Sequence, residues 1–221
     1  MPAPPPKVIY RSRMLAPPPR SSFSIKRMLL SGALISFLVL AYSVLDSIKH
    51  RWYIFDLGRL QQLQSYALEK HPNNTRAVID EIVGTLRKEL PSHCISEKEE
   101  WVFNNAGGAM GGMYIIHASV TEYLIIFGSP IGTEGHTGRH TADDYFHILH
   151  GEQTAYAAGS LTKEVYPAGS VHHLERGTVK QYKFHEECWA LEYARGPHTF
   201  NVLLRLRELT LVMYQAGSRQ C

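Results

Sequence analysis

The sequence has little cysteine, and what it has lacks paired spacing: Cys94, Cys188 and Cys221 are the only three in 221 residues. That excludes a disulfide framework and a zinc site built from closely spaced cysteine pairs. Inert thiols are the expectation, with one bridge between Cys94 and Cys188 as the alternative should the chain fold in an oxidising compartment. A surplus of one charge is also missing. The formal net charge is +3, but Lys7, Arg11, Arg13, Arg20, Lys26 and Arg27 all precede residue 28. The remainder is close to neutral, so no nucleic-acid surface is expected. No internal repeat is visible. With 44% apolar and 19% charged residues the chain is ordinary for a globular protein, and its length suits one core-bearing domain plus a targeting segment.

Residues 1–27 carry the runs Pro4-Pro5-Pro6 and Pro17-Pro18-Pro19 among those six cations. Such a composition cannot pack a core and reads as a basic, extended cytosolic tail. The uncharged apolar stretch 28–45 follows, about 27 Å long as a helix, and sets the expectation of a single transmembrane helix over residues 28–48. A cleaved signal peptide is the competing reading, but the stretch is longer than a usual signal core, begins late and lacks a small-x-small cleavage site. Six cations precede the span and only Lys49 and Arg51 follow closely, which leaves the N-terminus in the cytoplasm and the main domain, residues 49–221, in the lumen. Trp52 and Tyr53 suit an aromatic anchor at the far interface.

Over residues 56–90 apolar side chains recur at helical spacing (Leu57, Leu60, Leu63, Ala67, then Val78, Ile82, Val83, Leu86), with His71-Pro72-Asn73-Asn74 breaking the run. Two amphipathic helices joined by a turn are expected there. Asn73-Asn74-Thr75 is a glycosylation sequon, open to modification if the domain is lumenal. After Trp101 the texture changes to short β-branched and aromatic runs at 113–117, 122–127, 145–149, 164–166, 178–184 and 189–193. These predict a β-sandwich or small barrel. Residues 200–214 return to helical spacing.

Ionisable residues stand inside this apolar β region, which is costly unless they are paired or functional. On an alternating strand Glu122 shares its face with Leu124 and Ile126, and Glu192 shares its face with Ala190, so each is a candidate buried carboxyl. Histidines gather as well: His117, His136, His140, His147, His150, His172 and His173. The spacings His136-x-x-x-His140 and His147-x-x-His150 would suit a metal only on helices. Pro167-Ala168-Gly169-Ser170-Val171-His172 resembles the second half of the cupin signature, while the first half, His-x-His followed by a glutamate, is absent. The fold expectation is therefore mainly β with flanking helices: an N-terminal transmembrane helix followed by a cupin-like β-barrel, with no metal and no cofactor.

Four motifs go further. Glu100-Trp101-Val102-Phe103-Asn104-Asn105-Ala106-Gly107-Gly108-Ala109-Met110-Gly111, His117-Ala118-Ser119-Val120-Thr121-Glu122-Tyr123, Gly132-Thr133-Glu134-Gly135-His136-Thr137-Gly138 and Ala142-Asp143-Asp144-Tyr145-Phe146 closely resemble the fungal delta-8 to delta-7 sterol isomerases, and the sigma receptors share the frame less closely. The resemblance covers about residues 56–196. It implies an endoplasmic-reticulum membrane protein, a buried cavity for a sterol taken from the bilayer, inhibition by cationic amphiphilic amines, and a homotrimer. A non-catalytic, sigma-receptor-like binder of sterols or amines is the alternative it carries.

Moving the double bond from carbons 8 and 9 to carbons 7 and 8 requires protonation at carbon 9, a tertiary cation at carbon 8 and proton loss from carbon 7. One neutral acid, one base and a dry, cation-stabilising pocket meet that demand. The family's ligand-pairing glutamate falls on Glu192. The receptor's partnering aspartate falls on Phe146, so that role passes to Asp143 or Asp144, with Glu122 a further catalytic candidate. The pocket lining implied is Met113, Tyr123, Ile125 and Phe127, extended to Trp101, Ile115, His117, Phe146 and His173. After Gly196 the chain departs from the family. Its Trp-Ile-Pro motif and two apolar membrane-facing helices are replaced by Pro197-His198-Thr199 and one short amphipathic segment, so the C-terminal helices are expected to be truncated or altered.

Overall fold

A computed structural model of the chain describes residues 25–196. Most of the Pro-rich tail, the helical pattern at 200–214 and Cys221 lie outside the described residues. The first helix, α1 (Ile25–Ile48), is apolar all round, buries no residue and is long enough to cross a membrane. It forms a unit by itself up to Val44, and the rest of the chain from Leu45 forms the second.

The second unit opens with a short 3-10 turn, Lys49–Trp52, and two amphipathic helices, α2 (Leu57–Lys70) and α3 (Thr75–Glu89). Each starts where a short polar side chain satisfies an orphan amide: Asp56 accepts from the Arg59 N–H at 2.8 Å and Asn74 from the Ala77 N–H at 3.0 Å. The expected break at 71–74 is thus a cap, and Asn73 takes the left-handed conformation at φ 62°.

Ten strands follow: β1 (Trp101–Ala106), β2 (Ala109–Ala118), β3 (Glu122–Ser129), β4 (Thr133–His136), β5 (Asp143–His150), β6 (Glu152–Ala157), β7 (Glu164–Pro167), β8 (Val171–Leu174), β9 (Lys180–Phe184) and β10 (Cys188–Arg195). All six predicted runs are strands. The four strands the pattern missed, β1, β4, β6 and β8, have four to six residues, and all but β1, which opens on Trp101-Val102-Phe103, are rich in polar or small side chains. The Asn-Asn-Ala-Gly-Gly-Ala motif is the tight β1–β2 hairpin: Gly107 and Gly108 stand at φ 61° and 92°, as a two-residue turn with both central residues left-handed demands.

The strands form two antiparallel sheets, ordered β1-β2-β3-β10-β5-β8 and β4-β9-β6-β7. The expected barrel is open among the described residues. The sheets join at a hairpin end, where the His136 N–H donates to the Gly107 carbonyl at 3.0 Å, rather than through a continuous ladder. Period-two alternation divides the six-stranded sheet into two dry faces. Its outer face packs Tyr114, Ile116, Leu124, Ile126, Leu149, Leu191 and Tyr193 beneath Leu60, Leu63, Ile82 and Leu86 of the helices. Its inner face sets Met113, Tyr123, Ile125, Phe127, Phe146 and Ile148 against Ala155, Tyr182 and Phe184 of the smaller sheet. Cys94 and Cys188 are both buried and free, so the bridge left open by the sequence is not formed.

Two histidines in this core are neutral. Burial holds His147 and His172 down to about 4 from the ordinary 6.5. His147 donates from Nδ1 to Gln64 Oε1 at 3.2 Å, and His172 donates from Nδ1 to Gln153 Oε1 at 2.8 Å while Lys180 Nζ approaches its Nε2 at 3.3 Å. The unfolded chain takes up these protons near pH 6.5 and the folded chain only near pH 4. Stability is therefore expected to fall as pH drops through that window, by about 1.4 kcal/mol per pH unit for each histidine. Denaturant titrations of wild type and His147→Gln at several pH values check this: the variant should show a shallower decline.

Candidate functional site

Alternation along β10 points Ala190, Glu192 and Ala194 into the space between the sheets. On the neighbouring strands Glu192 stands opposite Ile125 and Phe146, and Ala194 stands opposite Tyr123 and Asp144. Glu192 and Asp144 thus sit two residues apart in register on adjacent strands, facing the same way. Both are buried, at 6% and 1% exposure. The Tyr123 hydroxyl lies between them, within hydrogen-bonding reach of Asp144 Oδ1 at 3.2 Å and in a short contact with Glu192 Oε1. His140 approaches from the rim, its Nδ1 3.8 Å from Asp144 Oδ2, while its Nε2 donates to the Thr137 carbonyl.

These groups surround a cavity of about 30 Å³ lined by Asn104, Phe127, Thr137, His140, Asp144, Phe146, Tyr182 and Glu192. That is room for about one water molecule. The walls are largely aromatic, and the faces of Phe127, Phe146 and Tyr182 suit a cation held beside two carboxyls. Among the described residues no group of three His, Cys, Asp or Glu side chains is placed to hold a metal ion.

The structure sorts the candidates drawn from the sequence. Glu192, Asp144, Tyr123, Phe127 and Phe146 meet at the cavity, with Met113 and Ile125 in the same inner cluster and Ile115 packed against its edge. Glu122 does not join them. It lies on the outer face with no exposure, accepting the Ile54 N–H at 2.5 Å and the Tyr193 hydroxyl at 2.7 Å. Burial, then the hydrogen bond to Glu122, pushes the Tyr193 phenol well above its usual range. Asp143, one residue from Asp144, points to the other side of the sheet and accepts the Arg176 N–H at 3.0 Å, with His173 Nε2 at 3.7 Å.

Trp101, His117 and His173 are also absent from the cavity. Trp101 packs edge-on against Trp189 at 5.5 Å, and His173 stacks on Tyr145 at 4.4 Å. His117 donates to the Cys94 carbonyl at 2.6 Å and lines a separate cleft of about 340 Å³ with His93, Ile95, Lys98 and Ile115. That cleft is the larger hollow, but neither carboxyl of the pair lines it.

Three cavity residues, Asn104, Thr137 and Tyr182, were not among the site residues drawn from the sequence, and His140 was noted there only for its metal-type spacing. All but Tyr182 stand in or beside the motifs quoted above. Tyr182 alternates with Phe184 on β9, a signal that reveals a buried face but not what it meets.

The sequence profile of the family described as ERG2 and Sigma1 receptor like protein matches residues 32–203. The chain belongs to this family. Within the ERG2 and Sigma1 receptor like proteins, the C-8 sterol isomerase ERG2 of Gibberella zeae is 61% identical over 171 residues, covering 77% of this chain and 72% of that protein. The C-8 sterol isomerase of Pyricularia oryzae is 68% identical over 146 residues, covering 66% of each. Among solved structures, an RmlC-like cupin from Shewanella frigidimarina resembles the chain at a TM-score of 0.40 and 15% identity, over 48% of this chain and 91% of that one.

Proposed function

We propose that this chain is a C-8 sterol isomerase that moves a ring double bond from the delta-8 to the delta-7 position. The observation that carries the chemistry is the pair Glu192 and Asp144, two buried carboxyls on one phenol within an aromatic cavity. One carboxylic acid delivers a proton to carbon 9, and the carbon 8 to carbon 9 π pair becomes the new C–H bond. The cation left at carbon 8 lies among ring faces and a carboxylate. The carboxylate then takes the carbon 7 proton, and that C–H pair becomes the carbon 7 to carbon 8 double bond. Overall the reaction is neutral in protons and electrons, so it consumes no redox equivalent.

A sterol ring system is far larger than a 30 Å³ cavity, so the inner faces must part to admit it. The membrane association supported by α1 supplies the reservoir from which the substrate comes. Expression in a sterol-isomerase-deficient strain tests the reading: delta-7 sterols should appear, and continued accumulation of delta-8 sterol alone would sink it.

The finer assignments belong to the same proposal. The organisation is a tail over 1–27, a membrane helix over 28–48 and a lumenal domain from 49, in the endoplasmic reticulum, assembling as a homotrimer. In sealed microsomes residues 101–193 should resist protease until detergent is added; cleavage without detergent reverses the orientation. Cationic amphiphilic amines should bind tightly because an ammonium imitates the carbon 8 cation, with Glu192 as counter-charge. Glu192→Gln is expected to weaken amine binding by at least about tenfold, roughly 1.4 kcal/mol, and an affinity within about threefold of wild type would remove Glu192 from that role.

A further inference from the structure

Each turnover leaves the two carboxyls in exchanged states. The group that gave up its proton is a carboxylate, and the one that received the carbon 7 proton is an acid. Before the next sterol can react, one proton must travel back. The Tyr123 hydroxyl, on a side chain only 6% exposed, reaches both: it contacts Asp144 Oδ1 at 3.2 Å and Glu192 Oε1 more closely. A phenol has one proton and can donate to only one of them at a time, while its oxygen accepts from the other.

We infer that Tyr123 resets the active site, passing its own proton to the spent carboxylate as it takes one from the newly formed carboxylic acid. This rests on the isomerase reading above. In the transfer one O–H bond breaks and one forms at the phenol oxygen, one O–H bond forms at the first carboxylate, and one breaks at the second carboxyl. Tyr123 is neutral before and after, and no proton enters or leaves. The transfer restores the starting state whichever carboxyl is the acid. His140, 3.8 Å from Asp144 and partly exposed, offers a rival path from that carboxyl to solvent.

Tyr123→Phe keeps the ring in the inner cluster and removes only the shuttle. With full-length protein in lipid nanodiscs and a delta-8 sterol, rapid quenching separates the first turnover from later ones. The ratio of first-turnover to steady-state rate should rise about a hundredfold over wild type, the low end for loss of a proton-transfer group. Equal slowing of both phases would place the phenol in the chemical step or in the scaffold, and unchanged rates would hand the return path to another group; either result overturns the inference. A reset defect seen in His140→Gln instead would do so as well.

A second arm does not depend on turnover. If Tyr123 shares one proton between the carboxyls, the infrared band of protonated carboxyl in the otherwise wild-type protein should be altered by Glu192→Gln and by Asp144→Asn alike. On a Tyr123→Phe background only one of these substitutions should remove it. A band that responds to one substitution alone in both backgrounds rejects the relay. Absence of product from wild type, by contrast, rejects the isomerase reading and leaves the infrared arm to judge the relay.

Discussion

Glu192→Gln and Asp144→Asn are each expected to lower delta-7 sterol formation by about a hundred to ten thousandfold, the range for loss of a general acid or base. Both substitutions keep the size of the side chain and its hydrogen-bonding contact with Tyr123, so the inner cluster should stay packed and the loss should appear in turnover. Glu122→Gln and Asp143→Asn are the informative contrasts. Neither carboxyl faces the cavity, and Asp143→Asn in particular should cost less than about tenfold, comparable to trimming a wall contact such as Ile125→Ala. Sterol analysis of membranes carrying equal amounts of each folded variant makes the comparison. A strong loss at Asp143 with full activity at Asp144 would mean that β5 presents its other face to the substrate. Near-full turnover in both Glu192→Gln and Asp144→Asn would require a histidine or water as the proton carrier.

Glu122→Ala should cost stability, by about 3 kcal/mol. The carboxyl is fully buried and accepts two donors, the Ile54 N–H at 2.5 Å and the Tyr193 hydroxyl at 2.7 Å. Its removal leaves a buried gap, takes the acceptor from the Ile54 amide and leaves the Tyr193 hydroxyl only the Phe55 carbonyl at 3.2 Å, and each buried group left unsatisfied costs about 1–3 kcal/mol. The segment it holds connects the 3-10 turn after α1 to α2, so loosening should begin there. Tyr193→Phe removes one of the two donors and should cost less than Glu122→Ala. Chemical denaturation measures both, and hydrogen exchange at the amides of residues 53–56 locates the effect. Equal stability in Glu122→Ala and wild type would show that this junction contributes nothing to the fold.

The sequence reading placed Glu122, Asp143, Asp144 and Glu192 in one catalytic group, and the structure divides them by the pleat. Asp143 and Asp144 differ by one residue and hence by a whole face of the sheet. The aromatic and histidine candidates divide in the same way. Phe146 looks inward and its neighbour Tyr145 outward, with His173 stacked on Tyr145 and His172 5.6 Å from Phe146 across the ladder. No residue type distinguishes these positions, because both faces of the six-stranded sheet are covered and both read as apolar.

What the sequence determined is therefore local. Helical spacing interrupted at 71–74 gave α2 and α3, an uncharged apolar run gave α1, and alternation told which side chains travel together: Glu192 with Ala190, Glu122 with Leu124 and Ile126. The family motifs were legible for the same reason, since each is a short stretch recognised by its own residues. What only the tertiary structure decided is which layer covers which face. The helices lie on the Glu122 face and turn that carboxyl into an anchor, while the β4-β9-β6-β7 sheet lies on the Glu192 face and sets Tyr182 across from Glu192 and Asp144. Period-two alternation is a property of one strand, whereas the partner of each face is fixed by contacts between strands far apart in the chain.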